Sequence, residues 1–342
     1  MPGMDIFNAS AFTMQSLTTR LIDAPHIPMR LGELGIFNSQ GVRTTSITIE
    51  RQGNTLVLVP TSPRGAPATQ NTKDARDIRI LPTHRIALED TISADEVQNV
   101  RAFGSETDLD SLVAEVDRRN ARMDRSIVAT EEFHRIGAMK GTILDADGST
   151  LHNLFTVFGV IAQTEVDFAM AAADNPADDG SLGRTCAEII RAIEDELGGL
   201  PYSGIHAMCS RQFFDDLIAH PEYRATFKNW PEAVRLRERA ARMVRTVSYG
   251  GIDFEEYRGA VGGTKYVADD KAHFFPIGVP ELFETFYAPA EYWDTVNTLG
   301  LPRYSRLNPD GTDPDHKRTI RTQSQFLTIC TRPRVLVPAK RT

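Results

Sequence analysis

Few residues of this chain have the type and spacing that a catalytic or metal site requires. Residues 259–265 (GAVGGTK) combine glycines with a lysine, as phosphate-binding loops do, but the Gly-Lys-Ser/Thr order is broken and no helix is predicted to follow. We interpret this segment as a hairpin turn. Residues 145–148 (DADG) resemble the start of a calcium loop, yet the glutamate that should close the coordination sphere is missing. A calcium site is therefore disfavoured.

Nucleophiles and metal-binding side chains form no recognisable group. None of the eight histidines has His-x-x-x-His spacing, and His206 and Cys209 lack further partners at metal-ligand spacing. Residues 201–204 (PYSG) do not provide the Gly-x-Ser-x-Gly elbow of an α/β hydrolase. We predict no catalytic, cofactor-binding or metal-binding residues, and a chain that is not an enzyme.

The composition is that of an ordinary globular protein, with 41% hydrophobic and 25% charged residues among 342. A formal net charge of -8 argues against a surface built to bind nucleic acid throughout, because such binding depends on Lys and Arg. Residues 317–341 contain basic but no acidic residues. We interpret this end as a solvated segment that pairs with acidic neighbours, rather than as a nucleic-acid patch.

The cysteines and the hydropathy of the sequence predict the cellular compartment in which the protein is made. The three cysteines form no close pair and include an odd one, so we expect no disulfide framework and synthesis in a reducing cytoplasm. The first 21 residues lack a basic start followed by an apolar run, and no stretch of roughly 18 apolar residues occurs. We expect neither secretion nor a membrane span.

The first quarter of the chain predicts an arm followed by a hairpin. Residues 5–42 have too few apolar residues in register to form a core, so we expect them to lie against another surface. The polar stretch 60–77 cannot bury itself and should project. Short strands are predicted at 45–50, 55–59, 78–81 and 84–88, with a turn at 52–54. Together they indicate a long, extended hairpin.

A long helix and a mixed α/β region are predicted next. From Asp108 to about Gly141 apolar residues recur with helical spacing, and roughly 30 residues give a rod of about 45 Å. We expect the charges on its other face, Glu131 and Glu132 among them, to be solvated. Further strands are predicted at 151–160, 205–209, 252–257, 265–267 and 325–337, and helices at 186–197, 213–227 and 231–244.

Several segments resemble the lambda-like major capsid protein E family of tailed phages, over nearly the whole chain. The most specific are residues 213–223 (FFDDLIAHPEY), 249–258 (YGGIDFEEYR) and 286–302 (FYAPAEYWDTVNTLGLP). The end of the chain, QSQFL at 323–327 followed by RPRVLV at 332–337, is also similar to that family. None of these segments is a catalytic signature.

The resemblance implies an α+β fold of the Hong Kong 97 type of phage capsid. On that pattern residues 1–42 are the N-terminal arm and 43–92 the extended hairpin loop. Residues 93–165 and 306–342 form the peripheral domain with its long spine helix, and 166–305 form the axial domain. The arm, the projecting hairpin and the long helix agree with the pattern read from the residues alone.

The resemblance also implies a function. The chain is expected to be a major capsid protein of the virion that self-assembles into pentamers and hexamers of an icosahedral or prolate shell around the genome. The shell is expected to be built in the host bacterial cytoplasm, near packaged double-stranded DNA that it does not bind specifically, and without a membrane. Further expected partners are a separate scaffolding protein, since the chain begins directly with arm-like residues, a portal and a decoration protein.

Two other classes stay open at this point. A cellular nanocompartment shell shares the fold, and an α/β enzyme is the more distant alternative.

If the chain builds a shell, apolar arm residues exposed in the single chain would be buried by a neighbour, together with basic residues of the hairpin. The candidate contacts are Phe7, Phe12, Ile36, Phe37, Arg64, Lys73 and Arg76.

Overall fold

The computed structural model describes residues 10–23, 29–51, 77–98, 108–170, 180–228, 246–261, 264–309, 311, 313 and 316–342. In chain order the helices are α1 (Met14–Asp23), α2 (Arg30–Leu34), α3 (Ala94–Gln98), α4 (Asp108–Lys140), α5 (Leu154–Phe158), α6 (Ser181–Leu197), α7 (Arg211–Ala219) and α8 (Pro221–Lys228). Short 3₁₀ turns are Ser10–Phe12, Trp293–Thr295 and Pro333–Val335.

The strands are β1 (Asn38–Gly41), β2 (Ser46–Arg51), β3 (Asp77–Pro82), β4 (His84–Ser93), β5 (Thr142–Leu144), β6 (Thr150–Asn153), β7 (Val166–Asp167), β8 (Gly204–Cys209), β9 (Thr246–Tyr249), β10 (Ile252–Glu256), β11 (Ala260–Val261), β12 (Thr264–Lys265), β13 (Lys271–Ile277), β14 (Phe283–Tyr287), β15 (Tyr304–Pro309), β16 (Lys317–Cys330) and β17 (Val337–Lys340). The predicted α+β class is confirmed.

One body of the fold is a six-stranded sheet in the order β7-β17-β13-β8-β10-β9. Five of the six residues of β8 are buried, as expected for a central strand covered on both faces. The apolar residues of α6 recur every three or four positions and are buried in the same core as the sheet: Leu182, Cys186, Ile189, Ile193 and Leu197. This spacing gives the helix one apolar stripe, which fixes the face that it buries.

The other body is a five-stranded sheet built around β16. β4 pairs along one side of β16, while β15 and then β14 pair along the other, and β1 extends the sheet beyond β14. The last residues of β16 and the strands of the six-stranded sheet share one continuous core. The two sheets are therefore joined by packing as well as by the chain.

The helix α4 has 33 residues and is about 50 Å long. It runs beside β16, and its buried Asn120 accepts hydrogen bonds from Thr322 of β16 and Ser305 of β15, both at 2.9 Å. The helix ends at Gly141, whose φ of 79° is the left-handed conformation that glycine adopts at helix ends. The long helix predicted from the sequence is confirmed.

The predicted strands 45–50 and 78–81 are also confirmed, and they pair with each other as the stem of a hairpin. β2 pairs with β3 in antiparallel fashion, from Ser46 opposite Pro82 to Arg51 opposite Asp77. The inner face of the stem is held to the main core by Ile47 and Leu81. The predicted strand 55–59, the turn 52–54 and the helix 231–244 lie outside the described residues.

Three predicted elements need correction. Residues 154–158, predicted as strand, form α5 because the Asn153 side chain accepts from the Thr156 amide and caps a helix. The predicted helix 213–227 is two helices, since His220 precedes a proline and leaves the α conformation. The predicted strand 325–337 ends at Cys330, and Pro333 begins a 3₁₀ turn instead.

Replacing Gly137 by alanine tests how closely α4 packs on β5. A Cβ there would lie 2.9 Å from both the Ile143 Cα and the Thr142 carbonyl oxygen, which are backbone atoms. We expect Gly137→Ala to lower the free energy of unfolding by about 1–3 kcal/mol through overpacking, although alanine by itself favours a helix. Urea unfolding of the purified chain measures the change.

The matched control is Gly183→Ala in α6. A Cβ at Gly183 would meet only the Tyr249 hydroxyl, at an ordinary 3.7 Å. We expect this variant to be as stable as the parent or up to about 1 kcal/mol more stable. Equal effects of the two substitutions would contradict the close contact between α4 and β5.

Candidate assembly surfaces

The predicted contact residues of the arm are less exposed than the sequence suggests. Phe12 is buried, in a small cluster of its own chain with residues of α1, α4, β4 and β16. Ile36 and Phe37 are half-buried against the main core. The expected exposure in the single chain is therefore wrong for Phe12 and only partly right for Ile36 and Phe37. The other candidates, Phe7, Arg64, Lys73 and Arg76, lie outside the described residues.

Phe37 is held in place by aromatic and cationic partners. Its ring lies 5.1 Å from the ring of Phe283 in β14, centroid to centroid, and the Arg135 guanidinium lies 5.8 Å from its centroid. Contacts of these types stabilise a ring by about 0.5–1.5 kcal/mol each. The end of the arm is thus a fixed part of the body.

Glu131, on the buried side of α4, is the centre of a network of paired charges. Its carboxylate accepts hydrogen bonds from Arg303 at 2.7 Å, from Arg135 at 2.6 Å and from the Tyr287 hydroxyl. Arg303 is buried too and also donates to Asp124 at 2.6 Å. Burial raises the pKa of Glu131, but the two arginines and the tyrosine outweigh it and hold the pKa below its ordinary value. The expectation of a solvated side chain is wrong here.

The neighbouring Glu132 faces the arm instead of the sheet. Its carboxylate accepts from the Leu31 amide at 2.7 Å and from the Tyr257 hydroxyl at 3.1 Å. Burial raises the pKa of Glu132 despite these donors. Beside it, Arg30 donates to Glu255 of β10 at 2.8 Å. The segment that contains α2 is therefore attached to the spine helix and to the six-stranded sheet by buried polar contacts.

Three histidines meet at the base of the hairpin stem. The Nε2 atoms of His84 in β4 and His152 in β6 lie 2.8 Å apart, so one ring donates and the other accepts. His134 of α4 approaches His84 edge-on and packs on Phe326 at 5.2 Å between centroids. Burial lowers the pKa of all three rings, that of His134 to about 4. They are neutral packing residues at neutral pH.

The connection between β14 and β15 is a tightly tied loop. The Gly300 amide donates to the Val42 carbonyl and the Leu301 amide to the Tyr304 hydroxyl, both at 2.8 Å. A Cβ at Gly300 would collide with the Tyr287 carbonyl oxygen, so the backbone approaches the sheet where only glycine fits. This loop was not predicted from the sequence as a surface feature, although its large apolar residues follow neither a helical nor a strand period, which is the pattern that could have indicated it.

In the part of the chain that the structure describes, no group of three or more His, Cys, Asp and Glu side chains is arranged to hold a metal ion. None of the described helices combines the length and the apolar character that crossing a bilayer requires. Within 259–265, β11 pairs with β12 in antiparallel fashion, as the predicted hairpin requires.

Comparison with known proteins gives one consistent result. The family described as phage major capsid protein E matches residues 13–341. The major capsid protein of Pseudomonas phage KPP10 is 28% identical over 96% of this chain and 97% of its own length. That of Salmonella phage Felix O1 is 26% identical over 97% of this chain and 96% of its own length.

Solved structures show the same fold at low sequence identity. The putative capsid protein of a prophage of E. coli CFT073 has a TM-score of 0.57 and 14% identity, with 98% of this chain and 100% of that chain covered. The capsid of an empty GTA particle has a TM-score of 0.52 and 14% identity, covering 93% of this chain and 92% of that chain. The predicted Hong Kong 97 type of fold is confirmed.

Removing the cation of the Glu131 network should be costly. In Arg303→Met, Glu131 loses one of its two arginines and Asp124 loses its arginine partner, so we expect the free energy of unfolding to fall by about 3–5 kcal/mol. The matched control is Arg118→Met, which removes an exposed arginine that pairs with Glu115 of the same helix and should change stability by less than about 1 kcal/mol. Urea unfolding compares them, and a loss below 1 kcal/mol in Arg303→Met would refute the network's role.

Acid should destabilise the chain through His134. Because the pKa of its ring falls from 6.5 to about 4 on burial, the unfolded chain binds one more proton between these pH values. This group therefore does not change the free energy of unfolding above pH 6.5, and lowers it by roughly 3 kcal/mol as the pH falls to 4. His134→Phe should make the free energy of unfolding less dependent on pH in this window.

The control for this experiment is His316→Gln, at an exposed histidine. This substitution removes an exposed pair with Asp313, 2.8 Å away, which is worth less than about 1 kcal/mol, so it should change the pH dependence of unfolding far less than His134→Phe. If His134→Phe and the parent lose stability equally between pH 6.5 and 4, the buried neutral ring is not the cause of the acid sensitivity.

Proposed function

The chain belongs to the phage major capsid protein E family and is a structural protein of a phage head shell; from this premise we propose that its copies assemble as pentamers and hexamers around the packaged genome. The family match favours a phage head over a cellular nanocompartment or an α/β enzyme. A shell of this kind needs heterologous contacts that close into rings. The function proposed is structural, without catalysis by this chain.

The projecting stem of β2 and β3 is the observation that best supports this proposal. One face of the stem is buried on the core of its own chain through Ile47 and Leu81. The opposite face, with Ile78 and Ile80, is exposed. The stem leads into residues 52–76, which contain the candidate contacts Arg64, Lys73 and Arg76. A hairpin anchored at its base in this way can extend across a neighbouring subunit.

We propose that the chain is divided into the four parts that the family resemblance implies, with residues 1–42 as the arm and 43–92 as the extended loop. For the remaining parts, sheet membership supports small changes at two of the proposed boundaries. β14 and β15 pair within the five-stranded sheet, which favours assigning 283–309 to the peripheral domain. β17 pairs within the six-stranded sheet, which favours assigning 337–340 to the axial domain.

The remaining partners are proposals of the same kind. They are a separate scaffolding protein, a portal and a decoration protein, with assembly in the host bacterial cytoplasm. The net charge of -8 supports an inner wall that does not bind packaged DNA tightly. Phe7 is proposed as an arm contact on the neighbouring subunit.

Sedimentation and negative-stain electron microscopy test the proposal directly. The chain is expressed alone and together with the neighbouring genes of its genome. We expect closed shells, tubes, or rings of five and six subunits in at least one co-expression. A strictly monomeric product in every co-expression would count decisively against the shell function.

A further inference from the structure

The loop between β14 and β15 exposes large apolar side chains. Trp293 is 92% exposed, Val296 60% and Leu299 57%, and Leu301 is exposed beside them. Single exposed apolar residues are common on protein surfaces, but a group that includes a nearly fully exposed tryptophan is not. In the described part of the chain this is the largest local group of exposed apolar residues.

These side chains are exposed on a loop whose backbone is held in place by hydrogen bonds. The Thr295 hydroxyl donates to the carbonyl oxygens of Ala290 and Tyr292, and the Tyr292 ring lies under the Arg306 guanidinium at 5.1 Å. Together with the amide contacts of Gly300, these bonds tie the loop to the five-stranded sheet at several points. A partner that binds here does not have to order the loop, which lowers the entropic cost of association.

The size of the group suits the centre of an interface. An exposed tryptophan side chain presents on the order of 200 Å², so the four residues together present several hundred Å². A specific interface buries about 800 Å² on each partner, with a few aromatic residues contributing most of the affinity. The group is therefore large enough for the core of a contact that other residues complete.

The charges around the group favour a protein partner. Glu291 and Asp294 are paired with Arg85 at 3.2 Å and Arg306 at 3.6 Å. Because both arginines next to the group already face carboxylates, the surface is not one that attracts phosphates. An uncharged apolar surface is the complement that this group fits.

The same chain carries an exposed apolar row on another element. On the outer face of the hairpin stem, Ile78 is 54% and Ile80 67% exposed, and Pro82 lies in line with them. Residues two apart on a strand share a face, so these three positions form an apolar row along β3, with Thr48 and Glu50 of β2 opposite Ile80 and Ile78, while Arg79 belongs to the other face. A heterologous contact between copies requires two different complementary surfaces on one chain.

We propose that Trp293, with Val296, Leu299 and Leu301, binds the outer face of the β3 strand, at Ile78 and Ile80, of a neighbouring copy of this chain. The inference rests on the proposed function as a shell subunit and assigns one of its intersubunit contacts. Burial of the two apolar surfaces against each other stabilises the assembled state relative to the separate chains.

Tryptophan fluorescence reports on this contact. The chain has two tryptophans, so Trp230→Phe leaves Trp293 as the single reporter. On assembly we expect its emission to shift to shorter wavelength and its quenching by acrylamide to fall several-fold. If Trp230→Phe does not fold, the difference between the parent and Trp293→Phe gives the same signal.

Failure of this inference is distinct from failure of the shell function. Sedimenting shells in which Trp293 stays fully quenchable would overturn the contact and leave the shell function intact. Absence of shells from the parent chain in every co-expression would overturn both. Trp293→Ser should lower the yield of shells at least tenfold with unchanged urea unfolding, whereas Ile161→Ser, at a distant residue that is 86% exposed, should not.

Cysteine cross-linking identifies the partner surface. The native Cys186, Cys209 and Cys330 are buried, and burial raises the pKa of their thiols, to about 12 for Cys186 and Cys330, so they should not react. Shells assembled from a mixture of Val296→Cys chains and Ile80→Cys chains are oxidised by dissolved oxygen with a copper catalyst. We expect disulfide-linked dimers that contain one chain of each kind.

Shells mixed from Val296→Cys and Ile161→Cys chains are the matched control and should give no such dimer. If Val296→Cys links to Ile161→Cys as well as to Ile80→Cys, or fails to link to Ile80→Cys, the assignment of the hairpin stem as the partner is wrong.

Discussion

A carboxylate removed from water must be paired, and α4 carries two such carboxylates at adjacent positions, Glu131 and Glu132. Successive residues of a helix point about 100° apart, so the two side chains leave the helix toward different neighbours. Glu131 meets Arg303 and the five-stranded sheet, while Glu132 meets the backbone of the segment at Leu31. The spine helix is thereby held in one position relative to both.

This arrangement also supports the surfaces that we propose to face other copies. Arg303 lies at the end of the loop that exposes Trp293, so the buried network anchors that loop at its base. About one turn further along α4 than Glu131, His134 packs near His84, where the hairpin stem joins β4. The exposed apolar residues of the loop and of the stem are thus supported by buried polar contacts at the base of each.

A shell protein has to keep such surfaces exposed without losing its monomeric fold. Here the large apolar core is shared by both sheets, and the exposed apolar residues lie on a tied loop and on one face of an anchored stem. A rigid surface of this type loses little entropy when a neighbour covers it.

Periodicity and local propensity in the sequence determined the helix α4, the stem strands and the helix α6, because these depend on neighbouring residues. The strands β13, β14 and β15 were missed, since their pairing with distant strands, and not an alternating pattern, makes them strands. Only the tertiary structure decided that Glu131 and Glu132 are buried and that Trp293 is exposed. In both cases the surroundings of the side chain are formed by residues far away in the sequence. The local sequence pattern is therefore the same whether water or protein covers the side chain.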